Sequence, residues 1–266
     1  MEMAGNIEKD AVLYHIKNEI GWITLNRPKM LNALSRDVLQ QLSSIFDNVK
    51  IDDGVKAIVI TGAGEQAFSA GADIQYLNQA TPLEVQEFAR LAVTVTHKIE
   101  ALGKVVIAAI NGYALGGGLE IAEACMLRLA APHAKLGHPE VRIGAIAGFG
   151  GTTRLPRLIG KGRASELLLT GNLIGAEEAQ QIGLINRIVE ADNLFSETES
   201  LIHDILSQAP IAVRLTWEAL HRGLNLTLEE SAMLGADYFG LVASTHDFRA
   251  GTKAFLQKMT PSFTGE

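Results

Sequence analysis

The chain has 266 residues, of which 47% are hydrophobic and 20% are charged, with a formal net charge of −7. This length and balance are typical of one large globular domain, or of one domain with a small appendage. The negative charge argues against a nucleic-acid-binding surface, although a local basic patch would suffice for a phosphate-bearing small ligand.

The first ten residues are polar and contain no apolar segment of signal-peptide length. No apolar run in the chain approaches the roughly 18 residues of a membrane span. We therefore predict a soluble cytoplasmic protein that makes no membrane contact.

Two strands are predicted at Val12–Lys17 and Ile20–Leu25, on either side of a short polar turn. Ser35 is a candidate N-cap for a helix that runs to about Lys50, because apolar residues then recur on one helical face. Residues 55–61 form a short apolar strand that ends at a glycine-rich turn.

The pattern then repeats. Residues 81–84 have the composition of a capping box with proline at the first helical position, which predicts a helix to about Leu102. Strands follow at Val105–Ile110, at Leu127–Ala130 and near residues 185–189. This alternation predicts an α/β fold with crossover helices and parallel neighbouring strands.

From about Asn193 onward only helical patterns follow, including a second capping box at residues 227–230. We therefore predict an α/β core over residues 1–192 and a helical region over residues 193–266. The apolar faces of these helices need a partner surface, which is either the core or another subunit.

Cysteine and histidine usage gives no sign of a metal site or of a disulfide. The only cysteine, Cys125, rules out an internal disulfide and fits a reducing compartment. It falls in an apolar helix, so we interpret it as an inert core thiol. The seven histidines are scattered without the spacing of a zinc site, so no metal is predicted.

Two glutamates, Glu120 and Glu140, each lie beside a glycine-rich turn. Two carboxyl groups that face one small volume can divide a proton transfer, one as acid and one as base. A glycine-rich turn from strand to helix supplies free backbone N–H groups for a developing oxyanion. Together they predict chemistry next to a carbonyl group. Taken alone, Glu120 would be interpreted as a carboxylate stabilised by a helix dipole.

Four segments show that the chain resembles the enoyl-CoA hydratase (crotonase) family over nearly its whole length. In chain order they are residues 26–34, 68–74, 111–120 and 137–155. The resemblance implies a crotonase (ClpP/crotonase-like) fold, an α/β spiral of ββα units with a C-terminal helical region. It also implies an acyl-CoA thioester substrate, homotrimers usually stacked into hexamers, and no separate cofactor, because coenzyme A is part of the substrate.

The resemblance also implies roles for the residues of the site. The backbone N–H groups of Ala72 and Gly117 would form the oxyanion hole. Glu120 would activate a water molecule and Glu140 would handle the proton at the α-carbon. The alternative is that the two groups share these roles, because such a pair titrates as one unit. In family members that hydrate a conjugated double bond, glutamates at both positions hold a water between them, and the enzyme adds hydroxide to the β-carbon and a proton to the α-carbon. Retaining both glutamates favours hydration, while isomerases that use a similar pair keep isomerisation open.

Lys29 and Lys258 are the candidates for contact with coenzyme A phosphates, with a solvated surface lysine as the alternative in each case. Asp73 is interpreted as a structural cap of the turn after Ala72. The full set of predicted substrate contacts is Lys29, Ala70, Ala72, Asp73, Ile74, Gly116, Gly117 and Lys258.

Four positions depart from the usual pattern of the family. His138 replaces a frequent glutamine, Ala147 a frequent proline and Met126 a common aspartate. Glu123 adds a carboxyl group one helical turn from Glu120, and we expect it to point elsewhere. The histidine either tunes the second glutamate or is simply packed in the core.

The leading interpretation is a 2-enoyl-CoA hydratase. Its alternatives are hydration of a cyclic dienoyl-CoA, double-bond isomerisation within the same family, and a non-catalytic binding protein that keeps the fold. The walls of the acyl pocket, expected to include parts of residues 76–88 and the C-terminal helices, carry no readable motif.

Overall fold

The computed structural model describes residues 10–266 and divides into two compact units. The first unit ends at Thr198, and the second is Glu199–Glu266. The first unit extends past residue 192 because Phe195 packs edge-on against Trp22 of the core, with ring centroids 5.8 Å apart. The first ten residues, in which we predict no signal peptide, lie outside the described residues except for Asp10.

Among the described residues of the first unit, ten strands form two sheets. In chain order they are β1 (Val12–Lys17), β2 (Ile20–Leu25), β3 (Ala57–Gly62), β4 (Ala67–Ser69), β5 (Val105–Ile110), β6 (Tyr113–Leu115), β7 (Leu127–Ala130), β8 (Lys135–Gly137), β9 (Leu173–Gly175) and β10 (Arg187–Ile188). The larger sheet has the order β1-β2-β3-β5-β7-β10, and the smaller one β4-β6-β8-β9.

The larger sheet follows the predicted pattern closely. The predicted bounds of β1, β2, β5 and β7 are confirmed, whereas β3 starts two residues late and β10 spans only Arg187–Ile188. The hairpin of β1 and β2 is antiparallel, and its turn residues Asn18 and Glu19 both have positive φ, as a two-residue hairpin turn requires. The remaining neighbours in this sheet are parallel.

The smaller sheet was not predicted from the sequence pattern. Each of its strands has only three residues, which is too short to show an alternation of apolar and polar side chains. Strands β4 and β6 pair in parallel and lead directly into the loops that carry the site.

Helices account for most of the remaining chain. They are α1 (Arg36–Ile51), α2 (Ile74–Gln79), α3 (Pro82–Glu100), α4 (Gly117–Ala124), α5 (Gly151–Ile159), α6 (Lys161–Thr170), α7 (Ala176–Gln181), α8 (Leu194–Leu206), α9 (Pro210–Gly223), α10 (Leu228–Ala243) and α11 (His246–Gln257). The predicted caps are confirmed: Ser35 accepts from the Val38 N–H, and both predicted capping boxes form.

One apolar core fills the first unit between the larger sheet and helices α1, α3 and α4. Phe46 of α1 and Phe88 of α3 are among its largest fully buried side chains. Cys125, directly after α4, is buried as well, and burial raises the pKa of its thiol to about 12. The thiol is therefore protonated at neutral pH, in agreement with an inert core thiol.

Two buried asparagine side chains hold the loop after β3. Asn111 Nδ2 donates to the carbonyl oxygens of Gly62 and Gly64, at 2.9 and 2.7 Å. Asn32 Nδ2 donates to the Ala67 carbonyl oxygen at 2.7 Å. These bonds fix the entry into β4 and therefore the position of the first site loop.

The second unit is helical, as predicted. Helix α10 begins with a capping box, and Asp247 of α11 accepts hydrogen bonds from the N–H groups of Thr264 and Gly265. Lys258 lies directly after α11 with a φ of 56°. No helix within residues 10–266 combines the length and the apolar character needed to cross a membrane.

Candidate active site

The first site loop joins β4 to α2 and contains Ala72. The Leu34 N–H donates to the Gly71 carbonyl oxygen at 2.8 Å, and the Asp73 N–H donates to the Leu34 carbonyl oxygen at 2.9 Å. Among the backbone hydrogen bonds described for this loop, none uses the Ala72 N–H that lies between them. This N–H is therefore available to a ligand.

The second site loop joins β6 to α4. Gly117 is the first residue of α4, where N–H groups have no acceptor within the helix, and Gly116 before it has a φ of 50°. The two site loops lie in direct contact. A Cβ atom placed on Gly71 would lie 3.3 Å from the Gly117 nitrogen and 2.8 Å from the Leu115 carbonyl oxygen.

Asp73 has the structural role expected of it. Its Oδ1 accepts from the Gln75 N–H at 3.1 Å and caps α2, while its Oδ2 accepts from Arg27 Nη1 at 3.1 Å. Both carboxylate oxygens of Asp73 are therefore engaged within the protein.

Two other predicted substrate contacts lie beside Asp73 in the chain. The Ile74 side chain is 53% exposed, and the Ala70 N–H already donates to a backbone carbonyl oxygen.

Glu120 lies one turn into α4 and is only 1% exposed. Its Oε1 accepts hydrogen bonds from the backbone N–H groups of Phe149 and Gly151, at 2.7 and 2.6 Å. Because both bonds fall on Oε1, Oε2 is left for a water molecule or a substrate.

Burial raises the pKa of Glu120 to about 7, against the lowering effects of the Gly151 hydrogen bond and the charge of His138. The carboxyl groups of Glu123 and Glu140 add to the rise. At neutral pH both protonation states of Glu120 are populated, which suits a group that takes up and releases a proton in each turnover.

Glu140 belongs to a short 3-10 helix, Pro139–Ile143. Its carboxyl group packs against Gly116, where an added Cβ would lie 2.9 Å from Glu140 Oε1. Both carboxylate oxygens are buried, and neither has a hydrogen-bond partner within the described part of the chain. Because a buried carboxylate without partners is unfavourable, this group is arranged to receive a water molecule or a ligand.

The prediction that Glu123 points elsewhere was wrong. Its Oε1 accepts a hydrogen bond of 2.9 Å from His138 Nε2, and both side chains are almost fully buried. His138 Nδ1 in turn lies 3.6 Å from Glu140 Oε1. On a helix, positions i and i+3 share a face, so Glu123 follows Glu120 toward the same interior.

Burial lowers the pKa of His138, but its hydrogen bond with Glu123 and the charge of Glu140 outweigh this effect and raise the pKa to about 10. At 3.6 Å the contact with Glu140 is too long for a hydrogen bond and acts as a charge contact. The site therefore holds a histidine cation beside its carboxyl groups at neutral pH.

The loop after Ala147 has a role that the sequence did not reveal. Its Phe149 and Gly151 supply the N–H groups that bind Glu120, and the Phe149 carbonyl oxygen accepts from Arg154 at 2.9 Å. Arg154 is held by a bidentate ion pair with Glu100 of α3. The run of glycines marked this loop as a turn, but no sequence signal shows which carboxyl group it faces.

Three aromatic rings form a wall beside the second site loop. Tyr76 and Phe88 have ring centroids 5.2 Å apart, and Phe88 and Phe149 5.4 Å apart. The Phe149 ring covers Gly117 so closely that an added Cβ there would lie 2.6 Å from it. Phe88 and Phe149 are buried in the core, whereas Tyr76 is only partly buried and is therefore the ring available to the hydrocarbon part of a ligand.

The remaining predicted residues are more scattered. Lys29 lies in a 3-10 helix, Pro28–Met30, whereas Lys258 belongs to the second unit. Met126 directly precedes β7, and its N–H donates to the Val106 carbonyl oxygen. No group of three metal-ligating side chains is found among residues 10–266.

A separate open cavity of about 1000 Å³ lies at the carboxyl ends of β3, β5 and β7. Its lining includes Gln66, Asn111, Tyr113, His133 and Phe195. It contains none of the residues predicted for the site, so the glutamates and the site loops are not part of it.

Comparison with known proteins identifies the family. The family model of enoyl-CoA hydratase/isomerase matches residues 15–266. The chain belongs to the enoyl-CoA hydratase/isomerase family.

Three relatives illustrate the likeness. A crotonyl-CoA hydratase of Syntrophomonas wolfei is 43% identical over 96% of this chain and 95% of its own length. A short-chain-enoyl-CoA hydratase of Clostridium acetobutylicum is 40% identical over 95% of this chain and 97% of its own. The crystal structure of an enoyl-CoA hydratase from Bacillus anthracis has a TM-score of 0.91 and 38% identity, covering 96% of this chain and 99% of that one. The predicted crotonase fold is confirmed.

Proposed function

We propose that this protein is an enoyl-CoA hydratase, which adds water reversibly across the 2,3 double bond of an enoyl-CoA thioester to give a 3-hydroxyacyl-CoA. The observation that carries the proposal is the placement of Glu120 and Glu140 beside two contacting loops with free N–H groups. The hydratase names of relatives that match nearly the whole chain support it.

The thioester oxygen would accept hydrogen bonds from the Ala72 and Gly117 N–H groups. Attack at the β-carbon places negative charge on this oxygen, and the two donors stabilise it in an environment shielded from water. Loss of one such donor costs about 3–4 kcal/mol in comparable enzymes, so the pair supplies a large part of the rate enhancement.

The carboxyl groups would divide the remaining chemistry. Water forms a C–O bond at the β-carbon and gives its proton to Glu120, whose Oε2 is free. Glu140 packs against Gly116, next to the oxyanion donor, so in its protonated form it is the nearer group to deliver a proton to the α-carbon. Turnover therefore starts with Glu120 ionised and Glu140 protonated, and proton exchange between the two groups after product release restores this state. Water adds without any net transfer of electrons, so the proposed reaction needs no redox cofactor, and the two oxyanion donors would polarise the thioester in place of a metal ion.

Lys29 and Lys258 would contact the coenzyme A phosphates, and Tyr76, which packs on the buried Phe88 ring, would line the acyl chain. The crotonyl-CoA and short-chain names of the two relatives favour a short acyl group.

The proposal is tested by product analysis in oxygen-18 water, using crotonyl-CoA together with branched and cyclic enoyl-CoA thioesters. A 3-hydroxyacyl-CoA that carries the label is expected, with crotonyl-CoA among the substrates. An unlabelled isomer of unchanged mass would assign the isomerase reaction instead. If none of the thioesters gave a product, the result would contradict enzymatic activity on enoyl-CoA thioesters. Labelled product from the cyclic dienoyl-CoA alone would restrict the activity to hydration of cyclic dienoyl-CoA substrates.

The second unit suggests an assembly of several chains. Large apolar side chains are exposed on its helices, among them Leu228, Phe239, Phe255 and Leu256. Surfaces of this kind are typical of subunit interfaces, so we expect trimers or hexamers. Sedimentation equilibrium measures the mass directly. A mass of one chain at micromolar concentration would contradict the expected assembly.

A further inference from the structure

We propose that Glu123 and His138 form a buried ion pair that positions Glu140 and places a cation beside both catalytic carboxyl groups. The inference deepens the proposed function, on which it rests, because it assigns a task in the same reaction to two further residues. Both act through Glu120 and Glu140, so both are positioning residues.

The geometry carries the inference. His138 Nε2 donates to Glu123 Oε1 at 2.9 Å, and His138 Nδ1 faces Glu140 Oε1 at 3.6 Å, so the imidazole lies between two carboxyl groups. The charge of His138 also acts on Glu120, and the ring atom Cε1 lies near the same point as Glu120 Cγ. A Cβ placed on Gly151 would lie 2.8 Å from His138 Cε1 and 3.1 Å from Glu120 Cγ. One histidine thus adjoins every carboxyl group of the site.

Burial explains why the histidine requires its partner. The His138 side chain is 1% exposed and that of Glu123 is fully enclosed. A buried imidazolium without an anion would lose its proton, because desolvation disfavours the charged form. Glu123 supplies the anion and fixes the ring by a hydrogen bond, which leaves Nδ1–H directed at Glu140.

Four charged groups surround Glu120. They are Glu123 on its own helix, His138 and Glu140 from the segment after β8, and Arg154 from α5. His138 lowers the pKa of Glu120 and Glu123 raises it, and the effect of His138 is the larger. Arg154 keeps its pairing with Glu100 and is unchanged in the variants below.

The test compares the pH dependence of kcat/KM for hydration in the wild type, His138→Gln and the double variant His138→Gln/Glu123→Gln. The wild-type activity should fall below about pH 7, where Glu120 becomes protonated. This fall of kcat/KM at low pH is the acid limb of the profile. Loss of the His138 cation should shift the acid limb to higher pH, by about one pH unit in the single variant and by less in the double variant. In both variants kcat should fall about tenfold or more, with KM changed less.

The double variant keeps the test valid if the single variant fails to fold, because removing one partner of a buried pair leaves an unpaired charge whereas removing both does not. The control is Lys98→Met/Asp47→Asn, which removes an ion pair of 2.6 Å between α1 and α3 and should leave the acid limb unmoved. A folded double variant with the wild-type acid limb and kcat would overturn the inference.

A second measurement needs no substrate. The protein is labelled with carbon-13 at histidine Cε1 and studied by NMR. The signal that is present in the wild type and missing from His138→Gln belongs to His138. This signal should be that of an imidazolium at pH 8 in the wild type, and should titrate at a lower pH in Glu123→Gln. A neutral ring at pH 8 in the wild type would contradict the ion pair. A wild type without hydratase activity would contradict the proposed function alone.

Discussion

Glu120→Gln and Glu140→Gln are each expected to lower kcat for hydration by about 10²–10⁴-fold, the usual contribution of general acid–base catalysis. An amide has nearly the shape of a carboxyl group but cannot take up or release a proton in the required pH range. Steady-state rates with crotonyl-CoA measure the effect. Turnover close to that of the wild type in either variant would refute the role of that residue.

Both variants should stay folded, which separates loss of chemistry from loss of fold. In Glu120→Gln the amide oxygen can still accept the bonds from Phe149 and Gly151, so the unfolding free energy should fall only slightly. Glu140 has no hydrogen-bond partner among the described residues, so Glu140→Gln breaks no hydrogen bond. It removes a buried charge but also the charge contact with His138, and because these two effects oppose each other the unfolding free energy should change little. Glu166→Gln, an exposed change of the same kind, is the matched control.

Gly71→Ala is expected to lower kcat by about 10²–10³-fold, which is the effect of losing one oxyanion donor. Gly71 has a φ of 96°, and its added methyl group would lie 2.8 Å from the Leu115 carbonyl oxygen and 3.3 Å from the Gly117 nitrogen. Relief of this overlap must push the two site loops apart. The donors at Ala72 and Gly117 would then no longer meet one oxygen atom.

The same substitution carries a backbone penalty of about 1–3 kcal/mol, because an alanine at positive φ is strained. Gly160→Ala provides the control, since Gly160 has a φ of 81° and no atom within 4 Å of an added Cβ. Both variants should lose stability in urea unfolding, but only Gly71→Ala should lose turnover. Equal kcat in the two variants would rule out the oxyanion role of this loop contact.

Much of the fold was predictable because its signals are local. The hairpin of β1 and β2 requires only alternating apolar residues and a two-residue turn, and the helices that start after Ser35, Thr81 and Thr227 are capped by groups within three residues. The smaller sheet was beyond this kind of prediction. Its three-residue strands form only because their partners are already held in place by the larger sheet and by buried asparagines.

The identities of the two glutamates and of the glycine turns followed from the sequence itself, because glycines beside carboxyl groups are a local pattern. Tertiary structure decided how these groups are paired. Glu120 is bound by N–H groups about thirty residues away, and Glu123 is turned toward His138 rather than away from the site. Such contacts depend on how α4 and the segment after β8 pack in a core shielded from water, where an unpaired charge is too costly to remain. Sequence alone therefore determined which chemical groups this protein has, and packing determined which of them meet.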